Sequence, residues 1–238
     1  MDESPADSLD DATAVVTGAS RGIGRAVTLA LAERGAHVVC CSREREGIAS
    51  TAETARAAGG SVTALRADVR DEFDLERLME TAGREGGGID YLVANAGVYH
   101  GQPGETPLSR ESYAAFDDHF RTNARGVFAA IREALPHLST GARVVVPSGR
   151  VAREGVDGYG SYAVSKAAAE ALARGFAADI DYPVGVVDPG QVATDLSGDR
   201  GRDPADAAEM ILWALDELAA DELDGAVLDV RDWRSATR

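Results

Sequence analysis

A tyrosine and a lysine four residues apart are the side chains of this sequence best suited to proton transfer. Tyr162 and Lys166 lie in an alanine-rich stretch that predicts a helix, and residues four apart leave the same face of a helix. A tyrosine normally ionises near pH ~10, too high for an acid or base at neutral pH. A neighbouring ammonium favours the phenolate and is expected to lower the pKa of Tyr162. The pair therefore indicates general acid–base chemistry.

The charge of the chain makes this lysine informative. The 238 residues include 40 Asp and Glu against 24 Lys and Arg, a formal net charge of −16, and Lys166 is the only lysine. A bias toward arginine explains the composition, but a single retained lysine then points to a site that needs a compact ammonium. A chain this acidic should repel nucleic acids and anionic membranes. The sequence therefore favours a small-molecule substrate over either of those partners.

Two further polar residues precede the pair along the chain. Ser148 follows a run of valines and is placed to hydrogen-bond a substrate carbonyl or alcohol oxygen, polarising it. Asn123 lies in the preceding predicted helix. Taken alone, Ser148 is consistent with a turn hydroxyl and Asn123 with a local helix bend.

The turn after the first predicted strand has the composition of a phosphate-binding loop. Residues 17–24 read Thr-Gly-Ala-Ser-Arg-Gly-Ile-Gly and lead into a predicted helix. Glycines let the backbone turn sharply and approach a pyrophosphate, and the first N–H groups of the helix attract phosphate. A plain tight connection is the alternative interpretation. The candidate contacts are Gly18, Ser20, Arg21, Gly22, Ile23 and Gly24.

The end of the second predicted strand bears on the choice of cofactor. NAD sites usually carry an acidic residue here, which binds the ribose 2′-hydroxyl. This chain has Ser42 followed by Arg43, and Arg21 can approach from the glycine turn. A hydroxyl and guanidinium groups attract a 2′-phosphate, whereas a carboxylate would repel it. The sequence therefore predicts NADP(H) in preference to NAD(H).

Short β-branched runs alternate with alanine-rich helical stretches along the chain. This alternation predicts an α/β fold, a doubly wound parallel sheet of about seven strands with helices on both faces. Residues 1–10 are predicted to be a disordered acidic segment, and residues 11–238 a single domain. The predicted strands are 12–17, 37–42, 62–66, 91–94, 143–146, 184–187 and 226–230, and the predicted helices include 23–34, 43–58, 161–178 and 205–220.

Composition also limits where the protein works. No apolar run approaches the ~18 residues of a membrane span, and the acidic N-terminus lacks a signal-peptide core. Cys40 and Cys41 are adjacent within an apolar run, which suits reduced, buried thiols and offers no metal-ligand spacing. The sequence therefore predicts a cytoplasmic protein without a metal site.

The Gly-x-x-x-Gly-x-Gly turn combined with the later Tyr-x-x-x-Lys resembles the short-chain dehydrogenase/reductase family over residues 11–232. The resemblance implies a Rossmann-type fold and hydride transfer between a nicotinamide and a carbonyl or secondary alcohol. It implies that Asn123, Ser148, Tyr162 and Lys166 act together, with Asn123 kinking its helix and positioning a proton-relay water. Lys166 would also bind the nicotinamide ribose. Members of this family commonly form homodimers or homotetramers.

The resemblance adds further cofactor contacts. Asp68, with Val69 beside it, would accept a hydrogen bond from the adenine amine. The segment Asn95, Ala96 and Gly97 would back the adenine ribose. The turn with Pro189, Gly190, Val192 and Thr194 would hold the nicotinamide carboxamide.

The chain departs from the family pattern at several places. Pro147 replaces the usual serine before Ser148, and Ser148 lies fourteen residues before Tyr162 instead of thirteen. The substrate loop, 195–202, is short and polar, and the C-terminal region is closer to the carbonyl-reductase branch. These features favour an open pocket that accepts small or varied carbonyl compounds. The leading interpretation is an NADPH-dependent carbonyl reductase, an alcohol dehydrogenase running in reverse. A biosynthetic ketoacyl- or quinone-type reductase and a non-catalytic NADP(H)-sensing regulatory protein are the alternatives. The acidic, lysine-poor composition resembles that of halophilic proteins.

Overall fold

A parallel β-sheet forms the centre of the computed structural model, which describes residues 9–196, 198 and 200–237. The strands are β1 (Thr13–Thr17), β2 (His37–Ser42), β3 (Ser61–Arg66), β4 (Ile89–Val93), β5 (Leu138–Pro147), β6 (Val184–Asp188) and β7 (Val227–Asp229). Every neighbouring pair is parallel, and the order across the sheet is β3-β2-β1-β4-β5-β6-β7. The predicted α/β fold with about seven parallel strands is confirmed.

Helices connect the strands and cover both faces of the sheet. They are α1 (Gly22–Glu33), α2 (Arg45–Ala57), α3 (Glu72–Gly86), α4 (Tyr113–His119), α5 (Arg125–Ala134), α6 (Gly160–Asp179), α7 (Pro204–Leu212), α8 (Ala220–Leu223) and α9 (Val230–Ala236). Two wide π-turns, Phe120–Ala124 and Trp213–Glu217, follow α4 and α7 directly. No helix within the described part of the chain has the length and apolarity needed to cross a bilayer.

Alternation along the strands divides the core into two layers. Successive side chains of a strand point to opposite faces, so Ala14 and Val16 join one layer and Val15 joins the other. The first layer packs against α1, α2 and α7, and the second against α3, α5 and α6. Because both faces are covered, β1, β2 and β6 are almost completely buried, whereas β3 at the edge of the sheet is only partly buried.

Two observed boundaries differ most from the predicted ones: β5 begins at Leu138 instead of residue 143, and α7 ends at Leu212 instead of residue 220. The predicted helix 205–220 is wrong as one element, because α7 passes into the π-turn Trp213–Glu217 and Leu218 is extended. Residues 210–215 are all buried, so this stretch is packed on every side. An ordinary surface helix would instead bury only one apolar face. Arg143 donates to the carbonyl of Leu218 at 2.6 Å, satisfying a group left free where the helical turns end.

The N-terminal segment also contributes to packing. Leu9 is buried in the first core layer, and its N–H donates to the carbonyl of Arg34 at 2.7 Å. Ordered structure therefore begins before residue 11, and residues 1–8 of the predicted acidic segment lie outside the described residues.

The strand order reverses direction between β1 and β4. The chain runs outward from β1 to β3, then crosses back to β4 and continues to β7 on the other side. The connections leaving the carboxyl ends of β1 and β4 therefore turn away from each other and leave a crevice between them, where ligands of open α/β sheets bind.

Candidate active site

A crevice of about 440 Å³ lies at the carboxyl ends of the central strands. It brings together most of the residues singled out in the sequence. The predicted residues that line it are Gly18, Ser20, Arg21, Gly22, Ile23, Gly24, Ser42, Arg43, Val69, Asn95, Ala96, Gly97, Ser148, Tyr162, Lys166 and Thr194.

Glycines shape the turn at the start of α1. Gly18 has a φ of 69° and Gly22 a φ of 55°, in the left-handed region that favours glycine. Gly24 has ordinary helical geometry, but a Cβ there would lie 2.4 Å from both Asn95 Nδ2 and the Gly18 carbonyl oxygen. Asn95 in turn donates to the carbonyls of Thr17 and Gly18 at 2.9 and 3.2 Å, which fixes the turn to the end of β4.

The N-terminus of α1 is suited to a phosphate. Arg21, its N-cap residue, has an extended backbone and makes no capping hydrogen bond with its side chain. The first turn of this 12-residue helix also carries no acidic residue. Its first N–H groups and the positive end of the helix dipole therefore remain available to an anion at the crevice. These residues fit a dinucleotide pyrophosphate.

The residues predicted to recognise a 2′-phosphate lie at the rim. Arg43 is exposed and lines the crevice, next to Glu44, a carboxylate that sequence reasoning had not considered. Ser42 is buried and donates its hydroxyl proton to the backbone carbonyl of Glu44 at 2.9 Å, and its predicted phosphate contact stays a prediction. Arg21 pairs with Asp195 at 3.4 Å, with both side chains 71% exposed.

Asp68, the predicted adenine contact, is paired with an arginine. Arg70 donates to both of its carboxylate oxygens, with distances of 2.7 to 3.0 Å, and Asp68 does not line the crevice although Val69 does. Burial acts to raise the pKa of Asp68, but hydrogen bonds from Arg70 hold it below its usual value. The carboxylate is held in an ion pair with Arg70, and its predicted adenine contact stays a prediction.

Asn123 lies behind the crevice, within the π-turn Phe120–Ala124. Its Oδ1 accepts from the N–H of Val98 at 2.7 Å, and its Nδ2 donates to the Val98 carbonyl at 2.9 Å and to Ser165 Oγ at 3.0 Å. The side chain thereby joins the interrupted helix to the segment after β4 and to α6. The predicted break in the helix is present at this residue, whereas its predicted role in holding a relay water stays a prediction.

Tyr162 and Lys166 both reach the crevice from α6, but their electrostatics differ from the prediction. Lys166 is buried, and its Nζ donates to the Pro147 carbonyl at 2.6 Å. Burial, followed by Tyr99, Tyr159 and Asp188, raises the pKa of Tyr162 to about 12. The prediction that Lys166 lowers this pKa is therefore wrong for this structure, because the ammonium is directed to a carbonyl. Burial lowers the pKa of Lys166 itself to about 8.

Ser148 lies at the wall of the crevice, and its hydroxyl proton is directed to a carboxylate of the protein. Its N–H donates to the Val187 carbonyl at 2.8 Å, and its Oγ donates to Oε1 of Glu170 at 2.7 Å. The predicted hydrogen bond to a substrate oxygen stays a prediction, and it requires the hydroxyl to turn its proton from Glu170 to the ligand. Glu170 is buried on α6, one turn after Lys166, and the periodicity of Tyr162, Lys166 and Glu170 was a signal that could have identified it.

A second pocket of about 700 Å³ adjoins the crevice and shares Ile23, Ser148, Tyr162, Thr194 and Leu196 with it. Four residues of the predicted carboxamide turn, Pro189, Gly190, Val192 and Thr194, line this adjoining pocket. Aromatic rings form another part of its wall: the ring centroids of Tyr99 and Tyr162 are 4.7 Å apart, and those of Tyr99 and Tyr159 are 6.2 Å apart.

Thr122 is a crevice residue that sequence reasoning missed. It lies beside Asn123 in the π-turn and is 3% exposed. Its Oγ1 finds no hydrogen-bond partner among the described residues. A buried hydroxyl without a partner is costly, so a ligand atom in the crevice is a suitable acceptor for it.

Comparison with known proteins agrees with this geometry. Residues 12–205 match the short chain dehydrogenase family. Versicolorin reductase 1 of Aspergillus parasiticus is 36% identical over 193 residues, covering 79% of this chain and 72% of that protein. Tetrahydroxynaphthalene reductase PfmaG of Pestalotiopsis fici is 35% identical over 189 residues, covering 77% of this chain and 66% of that protein.

Solved structures show the same fold. A dehydrogenase/reductase from Sinorhizobium meliloti 1021 is 32% identical with a TM-score of 0.84, covering 94% of both chains. A short chain dehydrogenase from Burkholderia cenocepacia J2315 in complex with NADP is 27% identical with a TM-score of 0.84, covering 93% of this chain and 97% of that one. Together with the glycine turn and the Tyr162–Lys166 pair, these matches confirm the predicted family: the chain belongs to the short-chain dehydrogenase family of oxidoreductases.

Proposed function

We propose that this protein is an NADPH-dependent reductase in which Tyr162 protonates the oxygen of a carbonyl substrate. The observation that carries the proposal is the arrangement of Tyr162 and Lys166 on one face of α6, in the same crevice as the glycine turn and the free N-terminus of α1. The nicotinamide supplies hydride to the carbonyl carbon when the cofactor is bound. All other steps fall to the side chains of the chain itself.

Tyr162 and Lys166 of α6 have different roles in the proposed reaction. A pKa of about 12 keeps Tyr162 protonated at neutral pH, which is the state required to donate a proton to the reduced oxygen. Lys166 holds a positive charge in the wall of the crevice, where it can bind ribose hydroxyls and stabilise negative charge on the phenol. These properties suit Tyr162 to the role of proton donor near pH 7.

The preference for NADP(H) rests on the rim of the crevice. Arg43 and Arg21 provide cations near the end of β2, and the NAD-type carboxylate is absent from position 42. Support also comes from the similar Burkholderia cenocepacia structure, which is a complex with NADP. Because Ser42 gives its proton to Glu44, we assign the phosphate contact to Arg43.

For the substrate, the alternative of a biosynthetic reductase has specific support. Among the similar proteins are reductases named for versicolorin and for tetrahydroxynaphthalene. The adjoining pocket here carries aromatic and apolar side chains, Tyr99, Pro103, Val151 and Tyr159, together with charged ones. We therefore favour hydroxylated, fused-ring aromatic ketones over small aliphatic carbonyl compounds as substrates.

Two further properties complete the proposal. Tyr113, Phe116, Phe128 and Val164 are exposed large apolar residues on α4, α5 and α6, and we assign this face to a homodimer or homotetramer contact. Cys40 and Cys41 are free and buried, which supports a cytoplasmic location.

The test is NADPH oxidation against a panel that includes bicyclic hydroxyaryl ketones, simple ketones and quinones. Tyr162→Phe keeps the ring and its packing but removes the proton. We expect kcat to fall by about a hundredfold or more, the usual worth of general acid catalysis, while NADPH binding persists. Near-normal turnover by the variant would contradict the mechanism. Cofactor binding without turnover of any compound by the unsubstituted protein would favour the sensing alternative.

A further inference from the structure

The start of α6, the helix that carries Tyr162, has no cap of its own. The N-cap residue, Tyr159, makes no side-chain hydrogen bond to the helix, and the first turn contains no acidic residue. The first N–H groups of a helix have no partner within it, and leaving a buried one without a partner is costly. Ser161, the second residue of α6, is buried. A partner for its N–H must therefore come from another part of the chain.

Glu111, which lies 50 residues earlier and shortly before α4, supplies this partner. Its Oε2 accepts from the N–H of Ser161 at 2.6 Å, and its side chain is only 6% exposed. A carboxylate at this place also complements the positive end of the helix dipole. Gly160 leaves room for it, because a Cβ there would lie 2.8 Å from Glu111 Oε2 and 2.6 Å from the Thr106 carbonyl oxygen. The carboxylate therefore acts as a cap brought from a distant segment.

His119, the last residue of α4, orients this carboxylate. The imidazole is buried, and its Nε2 accepts from the N–H of His100 at 3.0 Å, so Nδ1 carries the proton of the neutral ring. Nδ1 lies 2.7 Å from Ser161 Oγ and 3.3 Å from Glu111 Oε1. Burial lowers the pKa of His119, although Glu111 acts to raise it. A neutral imidazole therefore directs its N–H toward the same two residues that meet at the start of α6.

The same histidine packs against the ring of Tyr162. The two ring centroids are 6.1 Å apart and the ring planes meet at 70°, an edge-on contact. Tyr99 lies against both rings, with centroid distances of 5.9 Å to His119 and 4.7 Å to Tyr162. Glu111 thus fixes the backbone immediately before Tyr162, while His119 and Tyr99 fix the direction of its ring.

We propose that Glu111 is a positioning residue for Tyr162: its carboxylate, oriented by His119, caps α6 and fixes the turn from which the phenol reaches the substrate. The inference rests on the proposed function. A proton donor must lie within about 3 Å of the oxygen that it protonates, and a small displacement lowers the rate strongly. Lys166 lies one turn further into α6 and is held separately by the Pro147 carbonyl. Loss of the cap should therefore reduce turnover more than cofactor binding.

Steady-state kinetics of Glu111→Ala, measured well below its melting temperature, is the first test. We expect kcat to fall by about tenfold or more, because the tyrosine is no longer held in place, while the Kd for NADPH changes by less than about threefold. Glu111→Gln keeps an acceptor for the Ser161 N–H and should recover most of the turnover. Glu105→Ala removes an exposed carboxylate between β4 and α4 and is the matched control. An unchanged kcat in Glu111→Ala overturns the proposal.

Amide hydrogen exchange, followed by NMR without cofactor, gives a second readout. The N–H of Ser161 should exchange about tenfold faster or more in Glu111→Ala, because its hydrogen bond is gone, and near its original rate in Glu111→Gln. The amide of Ala169, in the middle of α6, should keep its rate in both variants. An unchanged exchange rate at Ser161 in Glu111→Ala overturns the cap.

Glu111→Asp is measured instead if Glu111→Ala does not fold. It keeps the charge but is one methylene shorter, so both the exchange at Ser161 and the turnover should change in the same direction by a smaller factor. Glu105→Asp is then the control, and an unchanged Ser161 exchange rate in Glu111→Asp again overturns the proposal. Near-normal turnover by Tyr162→Phe would instead refute the proposed function, and the exchange at Ser161 would still test the cap.

Discussion

A single guanidinium at the rim of the crevice carries most of the expected preference for NADPH. Arg43 follows Ser42 at the end of β2 and is exposed, while the Ser42 hydroxyl is already bonded to Glu44. Arg21 is drawn toward Asp195 on the opposite side of the crevice. We therefore expect a bound 2′-phosphate to contact Arg43. Glu44, the next residue along the chain, places a carboxylate at the same crevice.

Arg43→Ala tests this residue directly. A charged hydrogen bond to phosphate contributes roughly 1.5–3 kcal/mol, so KM for NADPH should rise by about tenfold or more while KM for NADH stays the same. Arg45→Ala, two residues further on in α2 and also exposed, is the matched control. Steady-state kinetics with both cofactors is the measurement. Equal use of NADPH before and after the substitution would show that the phosphate is bound elsewhere.

At the scale of elements, the start of α1 is the least tolerant part of the site. Gly24 and Gly175 both lie within helices and both have negative φ, but their surroundings differ. A Cβ at Gly24 would collide with Asn95 and with the Gly18 carbonyl, whereas a Cβ at Gly175 would meet nothing within 4 Å.

We expect Gly24→Ala and Gly175→Ala to act in opposite directions. Gly24→Ala should displace the glycine turn, weaken NADPH binding by about tenfold or more, and lower the melting temperature, because a contact of 2.4 Å forces the backbone apart. Gly175→Ala should stabilise the fold by about 0.5–1 kcal/mol, since alanine favours an exposed helix interior. Thermal unfolding and cofactor titration by fluorescence distinguish the two. A loss of cofactor binding in both variants would mean that displacement of the glycine turn does not explain the weaker binding of NADPH.

Elements fixed by local pattern could be predicted, and those fixed by distant contacts could not. The strand β2 was predicted to the residue, because its apolar run is bounded by clear breaks. The end of α7 was missed, because it depends on Arg143 from β5 binding a carbonyl 75 residues away. The same distinction holds for the site. The glycine turn could be predicted because it is formed by neighbouring residues, whereas the direction of the Ser148 hydroxyl depends on Glu170 and Arg153 from other elements.

At the scale of the whole molecule, the negative charge is the dominant property. The chain has 40 acidic residues against 24 lysines and arginines, an excess of 16 negative charges. Charges within about 10 Å repel each other at ~0.1 M salt, while at 1 M the screening length falls to about 3 Å. This repulsion acts against the compact state, against association of subunits and against the anionic cofactor.

We therefore expect a halophilic response. Melting temperature, NADPH turnover and subunit association should all increase from ~0.1 to ~3 M KCl, because screening removes repulsion. Thermal unfolding, steady-state kinetics and light scattering across this series are the measurements. Choline chloride in place of KCl separates general screening from specific binding of potassium. A flat or falling response in both stability and activity would leave arginine bias as the explanation of the composition.

The two cysteines of β2 allow local unfolding of the core to be followed by thiol chemistry. Being adjacent in a strand, Cys40 and Cys41 point to opposite faces, one packed in the layer of α1, α2 and α7 and the other in the layer of α3, α5 and α6. Burial raises the pKa of each thiol to about 12, so neither is a thiolate while its layer stays closed. A thiol reagent can modify them only during transient opening. When one cysteine is replaced, the modification rate of the other reports how often its own core layer opens. Two single-cysteine variants of β2 therefore measure local unfolding separately on the two faces of the sheet.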